Sequence, residues 1–450
     1  MIRDMTEGKI AGTLWRFSLP LLLSVMFQQA YNIADSVIAG KFVGEHALAA
    51  VGNSYELTLI FMAFAVGSNI GCSVVISQLF GAKRYGGVRA AVRTTMVSSV
   101  TLAAVLTVLG FVLSPVLLRA VRTPDAIFAD TLRYLQIYCG GLVFLFLYNI
   151  ATGIFSALGD SRTPLSFLIA SSAANIGLDI WFVTAFDMGV AGVAWATFLA
   201  QGAACVGAVF TVFRRLRALP QDGTPVPWFS LPLFRRIVRV SVPSILQQSF
   251  ISVGNIVIQG MINGYGPGVI AGYSAAVKLN NFAITSFTAL ANGMSNFAAQ
   301  NLGAGKPRRV RRGAGAALLL AAVTVTPFAL SYSFLHDGAI RLFLEAPSAD
   351  ALRNGALFLQ IVSPFYYIVV VKLISDSVLR GAGAMRYFMI STFTDLILRV
   401  VLSAVFSGLM GAVGIWLSWP VGWIAGTAVS VVFYRMGVWE KRFLPAGADM

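Results

Sequence analysis

Twelve long apolar runs follow one another along this chain, each bounded by charge, glycine or proline. They cover 14–38, 50–78, 90–115, 131–157, 164–186, 189–212, 237–262, 269–298, 313–335, 351–379, 386–408 and 411–434. A helix needs about 20 apolar residues to cross a hydrocarbon core about 30 Å thick. Inside that core no water can satisfy the backbone, so each run must form its hydrogen bonds within itself, as helix. Composition agrees: apolar residues are 57% and charged residues 11%, against roughly 25% charged in soluble domains. So little charge cannot cover a water-facing surface. The expected class is an all-α integral membrane protein with twelve transmembrane helices.

The net charge of +15 and the pI near 10.1 would suggest nucleic acid in a soluble protein. Here the basic residues sit between apolar runs, without a nucleic-acid motif, so that partner is excluded. Counting the termini and the even-numbered connections as one side, 24 Lys and Arg lie there and 6 on the other. Lys278, Lys372 and Arg399 fall inside spans. Positive charge marks the cytoplasmic side, so both termini are expected in the cytoplasm and the chain in the cytoplasmic (inner) membrane. Cys72, Cys139 and Cys205 lie in apolar runs; an odd count without metal spacing implies neither a disulfide framework nor a metal site. The apolar stretch from Leu14 continues through Gln28, Gln29 and Asp35 without a small-residue cleavage pattern, and reads as a first span rather than a signal peptide.

The chain repeats itself at an offset near 222. Ser18-Leu19-Pro20 resembles Ser241-Val242-Pro243; Gln78, Gly81 and Ala82 match Gln300, Gly303 and Ala304; Gly189-Val190-Ala191-Gly192-Val193 matches Gly411-Ala412-Val413-Gly414-Ile415. The expected organisation is an N-lobe at 1–213, a proline-containing cytoplasmic linker at 214–236 and a C-lobe at 237–450, two pseudo-symmetric six-helix bundles. Parallel repeats of this kind suit a carrier that exposes a midplane site to each side in turn. No filter motif of a channel is present.

Ionisable residues inside a membrane are costly, and so mark functional candidates. In the C-half, Asp395 and Arg399 are four apart, as are Lys372 and Asp376; each couple reads as a local ion pair. Lys278 mirrors Glu56 at the repeat offset, and those two are candidates for a gate. In the N-half, Asp35 and Asp179 have no basic residue within helical reach. Asn175 lies one turn before Asp179, Tyr31 one turn before Asp35, and Thr197 lies in the next span. Such oxygens suit a hard cation such as Na⁺, and desolvated carboxylates also suit a proton. No other cofactor or metal is expected. Pro20, within the first span, removes a helical hydrogen bond and could bend that helix as Asp35 changes protonation.

These features resemble the multidrug and toxic compound extrusion (MATE) transporters of the MOP superfamily. The resemblance rests on the duplicated halves, Pro20 with Asp35, the loop Leu158-Gly159-Asp160-Ser161-Arg162-Thr163-Pro164 and its partner Leu379-Arg380-Gly381-Ala382-Gly383. It spans essentially the whole chain. It implies export of organic, mostly cationic and amphipathic compounds in antiport with Na⁺ or H⁺. Asp35, Asn175, Asp179 and Thr197 match the cation site of the prokaryotic DinF-type branch by type and spacing, and Pro20 its bending point. A C-lobe site of the NorM type is not expected, because the seventh span has no acid. The implied cavity is apolar and aromatic, with Phe27, Tyr31, Phe61, Phe155 and Tyr273 as candidates, in a monomer. The alternative is a lipid or lipid-linked oligosaccharide flippase of the same superfamily, which needs a more basic cavity. Enzyme chemistry is not expected: His46 and His336 lie at span ends and no catalytic motif accompanies them.

Overall fold

The apolar runs become helices, and among the described residues there is no strand. The computed structural model describes residues 2–38, 45–121, 123–221, 223, 226–344 and 347–440; at 33–38, 45–50, 53, 55 and 56 the description is of backbone alone. The first seven helices are α1 (Ile10–Ile38), α2 (Glu45–Gly81), α3 (Tyr85–Ala120), α4 (Asp125–Gly140), α5 (Leu142–Ala157), α6 (Arg162–Thr184) and α7 (Gly189–Arg217). After the linker come α8 (Leu231–Ile262), α9 (Pro267–Gly303), α10 (Pro307–Phe334) and the short α11 (His336–Arg341). The chain ends with α12 (Ala349–Val362), α13 (Tyr366–Gly381), α14 (Met385–Met410) and α15 (Ala412–Arg435).

Ten helices are long and apolar enough to cross a membrane, and the bent pair α4–α5 makes eleven. The expected span 131–157 is therefore two helices meeting at 49°, broken at Gly140–Gly141. A Cβ on Gly141 would stand 3.2 Å from the Phe198 ring, so the break is also a close approach. The remaining expected span, 269–298, lies in α9, which has the length (37 residues) but carries amides and hydroxyls along it. Those groups are used inside the protein. Asn280 accepts from Tyr366 Oη at 3.1 Å, Asn292 accepts from Arg380 at 2.7 Å, and Asn301 donates to the Met5 carbonyl at 3.2 Å.

The chain forms two units, Met1–Asp4 with Leu23–Leu246, and Met5–Leu22 with Gln247–Met450. The division runs through α1 and α8, a few residues after Pro20 and Pro243. It does not fall in the 214–236 linker. Each unit therefore contains the start of the other half's first span. In the first unit, Ser241 of α8 lies against Gly71 of α2, where a Cβ would meet the Ser241 hydroxyl at 1.9 Å. In the second unit, Ser18 of α1 lies against Gly293 of α9 in the same way, at 2.4 Å. Gln78 accepts from Arg236 in the first; Gln300 accepts from the Met5 amide at 2.9 Å in the second. Gly71 and Gly293, like Gln78 and Gln300, are related by the repeat offset.

The turns repeat too. Gly189 and Gly411, at matching positions, both take positive φ (55° and 63°) at the start of α7 and α15. Lys83 (φ 57°) and Gly305 (φ 69°) match likewise after α2 and α9. Glycine adopts this conformation without strain, whereas a side chain such as lysine does so at a cost.

Two apolar clusters fill the first unit. One gathers Val75, Ile76, Val92, Ile154 and Phe155; the other gathers Leu57, Phe61, Leu118, Leu135 and Phe146. The second unit is packed by rings, with Tyr273 stacked on Trp416 at 5.0 Å and Phe358 edge-on to both. Between helices in lipid, the gain from such packing is van der Waals contact rather than exclusion of water.

Candidate functional site

Asn175 and Asp179 sit four residues apart on α6, which puts both on one face. Both are buried, Asp179 completely. The Asn175 carboxamide satisfies its neighbours when its nitrogen donates to Tyr31 Oη of α1 and, at 3.3 Å, to Asp179 Oδ2, while its oxygen faces the Thr197 backbone N–H of α7 at 3.1 Å. The Thr197 hydroxyl stands 3.5 Å from the same carboxamide. Three helices of the first unit thus converge on one amide, with a buried carboxylate, a phenol and a hydroxyl around it. Beside Thr197, a small cavity is lined by Tyr134, Tyr138, Phe198 and Gln201. Oxygen donors of this kind can hold a hard cation or, at the carboxylate, a proton.

Asp35 follows Tyr31 by one turn in α1, but its side chain lies outside the described residues, as does that of Glu56. The expected Glu56–Lys278 gate therefore rests on one described side chain, the exposed Lys278 of α9. Pro20 is buried within α1, which runs unbroken from Ile10 to Ile38. Its missing N–H leaves the Arg16 carbonyl without its usual helical donor.

The candidate cavity residues divide. Phe27 and Tyr31 are half-buried on α1. Phe61 and Phe155 are members of the first unit's apolar clusters, and Tyr273 is 3% exposed within the ring packing of the second. These three are core side chains rather than cavity wall. Apolar aromatic residues carry the same sequence signal whether they face a cavity or a neighbouring helix, so only packing separates them.

The charges of the second unit are also rearranged. Lys372 of α13 donates to Asp376 Oδ2 at 3.0 Å and stands 3.6 Å from Asp395 Oδ2 of α14. Asp376 Oδ1 accepts from Ser391 at 2.7 Å and Ser430 at 2.6 Å. The expected Asp395–Arg399 pair does not form. Asp395 turns to Lys372, and the Arg399 guanidinium lies over the Trp419 ring of α15, 4.5 Å from its centroid. Local helical spacing offered Arg399 a partner, but a lysine from another helix took it. Arg380, which sequence did not single out, is buried and bound to neutral groups, Asn292 at 2.7 Å and Ser295 at 3.4 Å. Its neighbourhood in the Leu379–Gly383 loop was the only signal.

Asp160, in the loop between α5 and α6, is structural. Its carboxylate accepts from the Thr163 N–H at 3.2 Å and the Thr163 hydroxyl at 2.8 Å, and meets Arg215 at 3.4 Å. Gly159 beside it has φ 74°, and a Cβ there would meet the Arg3 carbonyl at 2.2 Å.

A duplicated array of membrane-crossing helices with a polar cluster buried inside one unit defines a multi-pass membrane carrier. The MatE family model matches the chain twice, over 20–181 and 243–405, and the chain belongs to that family, the MATE transporters. Its members are transporters, and this chain is not an enzyme. The chain is 29% identical to the probable multidrug resistance protein YpnP of Bacillus subtilis, over 97% of each protein. It is 26% identical to the probable multidrug resistance protein YoeA of the same organism, again over 97% of each. Its fold is similar to an outward-facing multidrug resistance MATE transporter of the MOP superfamily, with TM-score 0.90, 20% identity and 98% of both chains covered. The two family matches begin 223 residues apart, which makes the internal repeat a duplication of one family unit.

Proposed function

We propose that this chain exports small organic compounds, mostly cationic and amphipathic, across the cytoplasmic membrane by alternating access, in antiport with Na⁺ or H⁺. Multidrug efflux is the activity named for its full-length relatives, and family membership supports it here. The observation that carries the coupling site is the convergence of Tyr31, Asn175, Asp179 and Thr197 around one buried carboxylate. In this reading Asp35 completes the site, as in the DinF-type branch, and Pro20 lets α1 bend as the site fills and empties. Phe27 and Tyr31 supply aromatic surface to a lipophilic cation. The 24-to-6 distribution of Lys and Arg supports cytoplasmic termini, and one chain, holding both halves, works as a monomer.

The test is ethidium transport by the purified chain in proteoliposomes, under an imposed Na⁺ gradient and, separately, an imposed pH gradient. One gradient drives accumulation in wild type. Asp179→Asn and Asp35→Asn abolish it, because neither variant can carry the compensating charge; Asn175→Ala weakens it. Intact transport in Asp179→Asn would remove the site from the mechanism.

A further inference from the structure

Arg399 is 6% exposed, yet its guanidinium makes no hydrogen bond and no ion pair. Its Nε is a buried donor without an acceptor, and its contact is with the Trp419 face. An arginine presents five donors and stays charged. Inside a membrane such a group ordinarily finds an anion or a carbonyl. None of the acids nearby serves it. Asp376 is filled by Lys372, Ser391 and Ser430, and Asp395 leans toward Lys372. Among the described residues, the buried charges of this unit are Lys372, Arg380 and Arg399 against Asp376 and Asp395. Three bases meet two acids, a surplus of one positive charge.

Two further donors lie in the same surroundings. The indole N–H groups of Trp416 and Trp419 are buried without an acceptor. Trp416 stacks on Tyr273, and both tryptophans meet Phe358. Gly422, one turn beyond Trp419, has no side chain to hold α15 off. A Cβ there would stand 3.1 Å from the Arg399 Cβ and 3.1 Å from Asp395 Oδ1. The close approach of α14 and α15 thus assembles a cationic, donor-rich, ring-walled patch, which no metal cation or organic cation would choose.

We propose that the second unit holds a site for one monovalent anion, bound by Arg399 with the indole N–H groups of Trp416 and Trp419. Two sources share this chemistry: a free halide, and the carboxylate of a small organic solute. The site is separate from the Asn175–Asp179 cluster and does not depend on the antiport reading, since it is tested by binding alone. A guanidinium accepts either a halide or a carboxylate, and the single surplus charge favours a monoanion over sulfate.

The experiment is thermal unfolding of the purified full chain, titrated separately with sodium chloride, sodium benzoate and sodium sulfate at constant Na⁺ and ionic strength. A ligand bound by the folded state alone raises the melting temperature in a saturable way. The expected result is a saturable rise of several degrees with chloride or benzoate and none with sulfate. Chloride alone assigns a halide; benzoate alone assigns an organic carboxylate. Arg399→Gln abolishes the rise, and Trp419→Phe, which keeps the ring and removes the N–H, shifts its midpoint several-fold to higher concentration. Lys278→Gln, an exposed lysine of the same unit, leaves it unchanged. A wild-type chain with no saturable rise, or a rise that persists in both Arg399→Gln and Trp419→Phe, overturns the proposal; Asp395 then serves Arg399 in solution and no anion is held.

Discussion

At the scale of single residues, the same spacing led to two different outcomes. Asn175 and Asp179 are four apart and do meet, at 3.3 Å. Asp395 and Arg399 are also four apart and do not pair. A helix puts i and i+4 side by side, but it does not keep other helices from offering a better partner. Lys372 reaches Asp395 across α13 and α14 because α15 has glycine where the lysine passes. A Cβ on Gly426 would stand 2.8 Å from Lys372 Cε and 2.8 Å from the Asp395 Cβ. Gly426→Ala should therefore push the ammonium away from Asp395 and lower stability by about 1–3 kcal/mol, the usual cost of overpacking. The melting temperature of the purified variant is the check. Gly408→Ala on α14, with open space around the new methyl, serves as the control and should melt no lower than wild type, because alanine favours helix. Equal melting of the two variants would mean that Lys372 does not need that passage.

At the scale of elements, glycines set where helices touch. Small residues let membrane helices approach closely enough for their backbones to pack. Gly71 admits Ser241 of α8 and Gly293 admits Ser18 of α1, at matching positions of the repeat. Backbone stands behind the serine at Gly71, with the Ser241 nitrogen 2.8 Å from an added Cβ. Gly71→Val and Gly293→Val should both lower the yield of folded protein and the melting temperature. Size-exclusion profile and thermal unfolding report this; a loss confined to one of the pair would break the equivalence of the two contacts. The serine–proline motif that marks both sites was legible in sequence as a repeat. What it packs against was not, because the glycine lies some 50 residues further on in one case and about 170 residues back in the other. The bend between α4 and α5 was hidden for a related reason. An apolar run with two glycines reads as one span until Phe198, from α7, is seen to occupy the space that a straight helix with side chains there would need.

At the scale of the molecule, the charge bias predicts topology. With basic connections held in the cytoplasm, a fluorescent protein fused after Trp439 should fold and fluoresce in cells, and a periplasm-dependent phosphatase at that position should be inactive. A phosphatase fused in the connection after α10 should be active. Reversal of these signals would invert the assigned orientation. The helical class, the spans and the duplication could all be read along the chain, because lipid imposes a local rule: each apolar run must satisfy its own backbone. The Asn175–Asp179 pair was legible for the same reason, being one turn of one helix. Long-range placement followed no such rule. That Phe61, Phe155 and Tyr273 are core, that the units divide within α1 and α8, and that Arg399 faces tryptophan instead of Asp395 were decided only in the folded chain. Each depends on which helices come together, and a sequence read one helix at a time carries hydrophobicity and charge but not the identity of the neighbour.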